Sequence, residues 1–108
     1  MLNEITKKFT KELLKYYNLN SHKSHEIQNI IESSNQLQED VDMYLNQKEI
    51  IMLSYKQSDT MNLILADAKK QYDLLKSSIY NLGEDFDNDL KSEYLSMIDK
   101  QFNLVFNY

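Results

Sequence analysis

The sequence predicts an all-α protein, either a helical hairpin or a three- or four-helix bundle with coiled-coil character. Of its 108 residues one is Gly and none is Pro, which leaves β-hairpin turns poorly supplied. Apolar residues, 42% of the chain, recur at helical spacings of three and four along most of its length. This length and apolar content suit one modest core. We therefore expect a single helical domain over residues 1–108.

The first helix is predicted over residues 2–17, where apolar side chains share one arc of the helix and lysines lie opposite. The arc comprises Leu2, Ile5, Phe9, Leu13, Tyr16 and Tyr17. We favour an ordinary bundle helix with a solvated lysine face. The alternatives are a helix that lies on an anionic membrane, or an arm that docks into a partner's groove. Its candidate partner- or membrane-facing residues are Ile5, Lys7, Lys8, Phe9, Lys11 and Lys15.

A polar loop is predicted over residues 18–24, with Ser21 or Ser24 as the cap of a second helix over residues 25–56. Apolar residues fill seven of nine positions of a heptad-spaced first seam in that helix. Ser34 and Lys48 are the two exceptions. A polar residue in a seam can fix register, but we favour a loosely packed layer from which Lys48 reaches solvent. The first seam comprises Ile27, Ile30, Ser34, Leu37, Val41, Tyr44, Lys48, Ile51 and Tyr55.

A third helix is predicted over residues 60–82, after a loop at 57–59. Its heptad-spaced second seam is apolar at all eight positions and is out of phase with the first seam. The phase change indicates either a helix break with Ser58 or Asp59 as the next cap, or a stutter in one long helix. We favour the break. The second seam comprises Met61, Leu65, Ala68, Tyr72, Leu75, Ile79, Leu82 and Phe86.

Gly83, the single glycine, stands where a left-handed helix cap would end the third helix. A loop over residues 83–85 and a fourth helix over 86–106 are expected, because Glu84, Asp85 and Asp87 suit a first helical turn. Continuation of the third helix through Gly83 is the alternative, since Phe86 still fits the second seam.

We expect the seams to carry assembly, by packing against each other or against a partner. The residues predicted for this interface are Ile30, Leu37, Val41, Ile51, Leu65, Tyr72, Leu75, Ile79 and Leu82.

Catalytic and cofactor chemistry finds little support in the sequence. There is no Cys, and the two histidines, His22 and His25, lack the further ligands that a zinc or di-iron site needs. Asp85, Asp87 and Asp89 resemble the start of a calcium loop, but Leu90 and Ser96 occupy the positions that require Gly and Glu. We expect no enzyme activity, no cofactor and no metal. A metal-dependent helical enzyme is a distant alternative.

The charge distribution disfavours nucleic-acid binding, because the chain carries a net charge of −5 and no Arg. The absence of Arg beside abundant Lys, Asn and Ile also follows A/T-rich codons and predicts a low-GC genome. Residues 1–23 carry a local charge of +3 and residues 84–99 one of −5. These two segments are therefore expected to attract each other, within one bundle or between chains, or to steer a partner.

The longest apolar run, Ile50–Leu53, is far shorter than a membrane span. No signal peptide is recognised, and a Cys-free chain suits a reducing compartment. We expect a cytoplasmic protein, and export by a route that needs no signal peptide stays open.

These features predict a small acidic helical module that binds another protein, itself or a larger partner, and that forms a homo- or hetero-oligomer. In size and composition the chain is similar to the small helical WXG-type hairpins of type VII secretion systems. It lacks the Trp of their W-x-G turn, so no family residue is assigned. One alternative is therefore a partner, chaperone or substrate of a specialised bacterial secretion system. Another is an immunity or phage-encoded inhibitor protein that blocks a specific target.

Overall fold

The computed structural model describes residues 2–17, 24–54, 59–83 and 86–106, with side chains given for residues 25–48 of the second range. These residues form four helices and no strand, so the predicted all-α bundle is confirmed. The helices are α1 (Leu2–Tyr16), α2 (Ser24–Ser54), α3 (Asp59–Tyr80) and α4 (Asn88–Phe106). Every bound lies within two residues of the one expected from the apolar pattern. The predicted caps Ser21 and Ser58 lie outside the described residues.

The four helices run alternately up and down around one core. The Leu2 amide donates to Gln38 Oε1 at 3.1 Å, and the Thr6 hydroxyl contacts Ser34, so α1 and α2 are antiparallel. α2 and α3 form the most extensive helix pair. α4 packs beside both α3 and α1. The order around the bundle is therefore α1, α2, α3, α4, and α4 closes the ring onto α1.

The bundle is elongated, with principal extents of 50 × 22 × 18 Å. At a rise of 1.5 Å per residue, the 31-residue α2 is about 46 Å long and the 15-residue α1 about 22 Å. The length of α2 therefore sets the long axis, and α1 covers only the part of α2 that precedes Gln38.

Both predicted seams meet inside this single chain. Leu75, Ile79 and Leu82 of the second seam are completely buried, as are Ile30 and Leu37 of the first. The two polar positions of the first seam differ in their exposure: Ser34 is completely buried, whereas Lys48 is exposed. The side chains of Ile51 and Tyr55 lie outside the described residues. The phase change between the seams follows from two separate helices that each present one stripe to a shared core.

Aromatic rings fill the two ends of this core. Near the end of α3, the ring centroid of Phe9 lies 5.9 Å from that of Phe86. The Phe9 ring also stacks on Tyr94, with 4.2 Å between the ring centroids. Toward the other end, Tyr72 stacks on Phe102 at 4.2 Å, and Lys76 lies 5.0 Å from the Tyr72 ring centroid. The Phe9–Tyr94 pair joins α1 to α4, and the Tyr72–Phe102 pair joins α3 to α4.

Between α3 and α4 the predicted left-handed Gly83 is confirmed, whereas Asp87, expected in the first turn of the fourth helix, caps it instead. Gly83 has a φ of 83°, and its backbone carbonyl accepts a hydrogen bond from Lys91 of α4. The Asp87 carboxylate accepts from the backbone amides of Asp89 and Leu90 at 2.9 and 3.3 Å, so Asp87 is the N-cap of α4. Continuation of one helix through Gly83 is therefore wrong, and α4 begins at Asn88 rather than at 86.

The predicted apolar arc of α1 needs one correction. Tyr16 is 55% exposed, whereas Thr6 and Thr10, which the apolar pattern omits, are buried. Tyr16 is the last residue of α1, and its ring makes edge-to-face contacts with Tyr17 and Phe86.

We expect Leu75→Asp to abolish cooperative folding. Leu75 has no exposed surface, so the substitution would place an unpaired charge in the core at a cost of about 3–5 kcal/mol. Helical circular dichroism during urea unfolding measures the effect. The matched control is Leu74→Asp, because Leu74 is 46% exposed and should change stability by less than about 1 kcal/mol. Equal effects of the two substitutions would contradict the core assignment.

Gly83→Ala should destabilise the protein by about 1–2 kcal/mol, because a Cβ atom is disfavoured at positive φ. The midpoint of urea unfolding gives the measurement. Ser77→Ala, at an exposed position inside α3, serves as the control and should be neutral or slightly stabilising. A neutral Gly83→Ala would mean that no left-handed cap ends α3.

Candidate interaction surface

The candidate site is an open groove of about 430 Å³ between α1 and α4. Residues at helical spacings of three and four supply both walls, so two turns of each helix face each other across it. The α1 wall consists of Glu4, Ile5, Lys8, Phe9 and Glu12, and the α4 wall of Leu90, Glu93, Tyr94 and Met97.

The floor of the groove is held by a buried cluster of hydroxyl groups. Thr6 Oγ1 lies 2.6 Å from Ser34 Oγ and 2.5 Å from the Tyr94 hydroxyl, so one side chain of α1 joins α2 to α4. The Thr10 hydroxyl donates to the Thr6 carbonyl at 2.8 Å. Burial raises the pKa of Tyr94 to about 12, although its hydrogen bonds to Thr6 and Ser34 lower it. Tyr94 therefore stays neutral at physiological pH and acts as a fixed apolar wall with a paired hydroxyl.

Carboxylates surround the apolar floor. Glu4, Glu12 and Glu93 line the groove beside a single cation, Lys8. Glu12 also pairs with Lys15 at 3.3 Å, but both groups are largely solvated and the pair contributes little stability. The arrangement can bury apolar side chains of a ligand and place cationic groups against its carboxylates.

The predicted partner-facing residues of α1 divide into two groups. Ile5, Lys8 and Phe9 line the groove, with Phe9 buried and Ile5 partly exposed. Lys7, Lys11 and Lys15 are exposed and do not line it. The apolar face of α1 is packed against the bundle, with Leu2, Phe9 and Leu13 nearly or completely buried.

The predicted interface residues lie within the chain's own core. Ile30, Leu37, Leu75, Ile79 and Leu82 are completely buried, and Val41 is 7% exposed. Leu65 and Tyr72 are partly buried and pack against the same core. Ile51 cannot be placed, because its side chain lies outside the described residues. The groove is formed by other residues.

Sequence reasoning missed the α4 wall and the acidic residues of the groove. Leu90, Tyr94 and Met97 follow a helical pattern in the sequence, but that pattern does not tell which of them a neighbouring helix covers. Met97 is 37% exposed and Tyr94 only 2%, although both belong to one stripe. The signal available in the sequence was the opposite charge of the α1 and α4 segments, which do pack together.

No three His, Asp or Glu side chains among the described residues lie close enough together to hold a metal ion. The possible ligand His22 and the calcium-loop residue Asp85 lie outside these residues, whereas Asp87 caps α4. None of the four helices, over the part of the chain described, combines the length and hydropathy of a membrane span.

Tyr94→Phe should lower the free energy of unfolding by about 1 kcal/mol, because it removes a buried hydroxyl from the cluster that joins three helices. Urea unfolding followed by circular dichroism measures this loss. The matched control is Tyr80→Phe, since Tyr80 is 65% exposed and should tolerate the change. A neutral Tyr94→Phe would show that the hydroxyl cluster does not stabilise the fold.

Comparisons of the chain with protein-family models, with curated proteins and with solved structures find no match.

Proposed function

We propose that this protein is a non-enzymatic interaction module that binds another protein through the groove between α1 and α4. The proposal is carried by the apolar side chains that line this groove, of which Ile5 and Met97 are open to solvent. A helical segment with a few apolar side chains is the ligand that such a groove between two helices suits.

The packing beneath the groove supports this role. Its floor rests on the Phe9–Tyr94 stack and on the buried hydroxyl cluster, so the walls are held in place before a ligand arrives. A preformed site loses less conformational entropy on binding. In protein–protein interfaces, a few side chains buried at the centre of the contact commonly supply most of the binding free energy, and polar residues surround them.

The buried seams act as the scaffold in this proposal. Self-assembly remains one version of it, with the groove of one copy taking a helix of another. Two further versions are a larger partner handled by a specialised secretion system, and a target protein that this module blocks. The cytoplasm is the proposed compartment, because a chain without Cys needs no oxidising environment for disulfides.

Met97→Glu tests the groove. Met97 is 37% exposed, so the variant should fold. A bound ligand would desolvate the added carboxylate, which would lie beside Glu93 on the same wall of the groove. We expect at least about tenfold weaker binding, equivalent to about 1.4 kcal/mol. The control is Met43→Glu on α2, since Met43 is 45% exposed and does not line the groove.

The immobilised protein and both variants are incubated with extract of the source cells, and each retained protein is purified and titrated by calorimetry. Light scattering over a concentration series measures self-association in parallel. A partner, or a second copy, that binds wild type and Met43→Glu but not Met97→Glu supports the proposal. Equal binding to all three forms would place the interface elsewhere. A monomer that retains nothing would contradict the function.

A further inference from the structure

A second polar cluster lies between α2 and α3 and includes a buried carboxyl group. Asp40 of α2 is 1% exposed, and Asp67 of α3 is partly exposed. The side-chain amide of Gln36 donates to Asp40 Oδ1 at 3.4 Å and to Asp67 Oδ2 at 3.3 Å, so one nitrogen contacts both carboxyls. Gln71 donates to Asp67 Oδ1 at 3.5 Å. Two acidic groups are thus held together at a helix interface.

One oxygen of this cluster has no hydrogen-bond partner. Asp40 Oδ2 is buried and receives no hydrogen bond from the described residues. An ionised carboxylate can only accept hydrogen bonds, so two adjacent carboxylates cannot pair with each other. A single proton on one of them converts it into a donor and removes one of the two charges. Buried polar atoms are rarely left unpaired, which favours the protonated state.

We propose that Asp40 and Asp67 share one proton and form a pH-sensitive clamp between α2 and α3. The proton resides on Asp40, the more deeply buried carboxyl, and is donated to the Asp67 carboxylate. The clamp holds the two helices together while the proton is bound and is weakened when it leaves.

The surrounding charges favour this distribution of the proton. Glu39 of α2 adds negative charge beside Asp40, whereas Lys70 of α3 lies near Asp67 and stabilises its ionised form. Burial, followed by the hydrogen bond to Asp67 and its charge, raises the pKa of Asp40 to about 7. The hydrogen bond from Asp40 lowers the pKa of Asp67. The two shifts have opposite signs, as expected for one proton held between two unequal sites.

The raised pKa of Asp40 determines how the stability of the fold changes with pH. Its pKa is 3.8 in ordinary surroundings and about 7 in the folded protein. Between these values the folded state holds a proton that the unfolded chain has released, so a rise in pH favours unfolding. The stabilisation from protonated Asp40 is fully present below pH 3.8 and is lost as the pH rises through about 7. The lowered pKa of Asp67 acts oppositely, but only at more acidic pH.

Asp40→Asn tests the clamp, because the amide has the size of the carboxyl, cannot ionise and can donate to Asp67. Urea unfolding is measured from pH 5 to pH 8 for wild type and variant. The folding equilibrium constant of wild type should fall by up to about tenfold per pH unit between pH 5 and 7, relative to the variant. At pH 8 the variant should be the more stable protein. Asp73→Asn, at an exposed position of α3, is the control and should retain the wild-type slope.

Carbon-13 NMR titration of the Asp40 side-chain carboxyl in wild type gives a second measurement that needs no variant. A titration midpoint near 7 supports the clamp, and a midpoint near 3.8 overturns it. Equal pH slopes in wild type and Asp40→Asn would also overturn it. If Asp40→Asn fails to fold, the NMR midpoint alone decides.

Discussion

The other two helices of this bundle dock onto the buried seam between α2 and α3. Leu75, Ile79 and Leu82 lie in one core cluster with Ile30 and Leu37 and have no exposed surface. Each such buried side chain contributes about 1.5–3 kcal/mol. The chain contains no Cys, so no disulfide limits the entropy of its unfolded state. Apolar burial must therefore supply most of the stability, and the most extensive helix pair offers the surface onto which α1 and α4 dock.

Two polar clusters interrupt this apolar packing, and each has a different consequence. The hydroxyls of Thr6, Ser34 and Tyr94 satisfy one another, which restricts how α1 can slide along α2 and α4, because any other register would leave a buried hydroxyl unpaired. In the Asp40–Asp67 pair, by contrast, Asp40 Oδ2 receives no hydrogen bond from the residues that the structure describes. One cluster thus defines the register of α1, whereas the other makes the α2–α3 contact depend on a proton.

The register of α1 also shapes the proposed binding surface. Phe9 stacks on Tyr94 between α1 and α4, and both rings line the groove that lies between these helices. The basic first segment and the acidic α4 segment pack together, and Glu4, Lys8, Glu12 and Glu93 are the charged residues that line the groove. The buried seams keep this arrangement rigid, and the proposed function requires nothing from them except that scaffold.

The helices and the apolar stripes that they bury follow from local patterns in the sequence. The spacing of apolar residues, the glycine at position 83 and the acidic residues that follow it are local signals, so they can be interpreted without the fold. The order of the helices, the groove and the two polar clusters depend on contacts between distant parts of the chain. Thr6 and Tyr94 are 88 positions apart, and Gln36 and Asp67 are 31 apart. Ser34 and Asp40 look like interruptions or solvated positions in a linear pattern. Their burial depends on side chains that another helix brings to them, and no local rule of helix geometry contains that information.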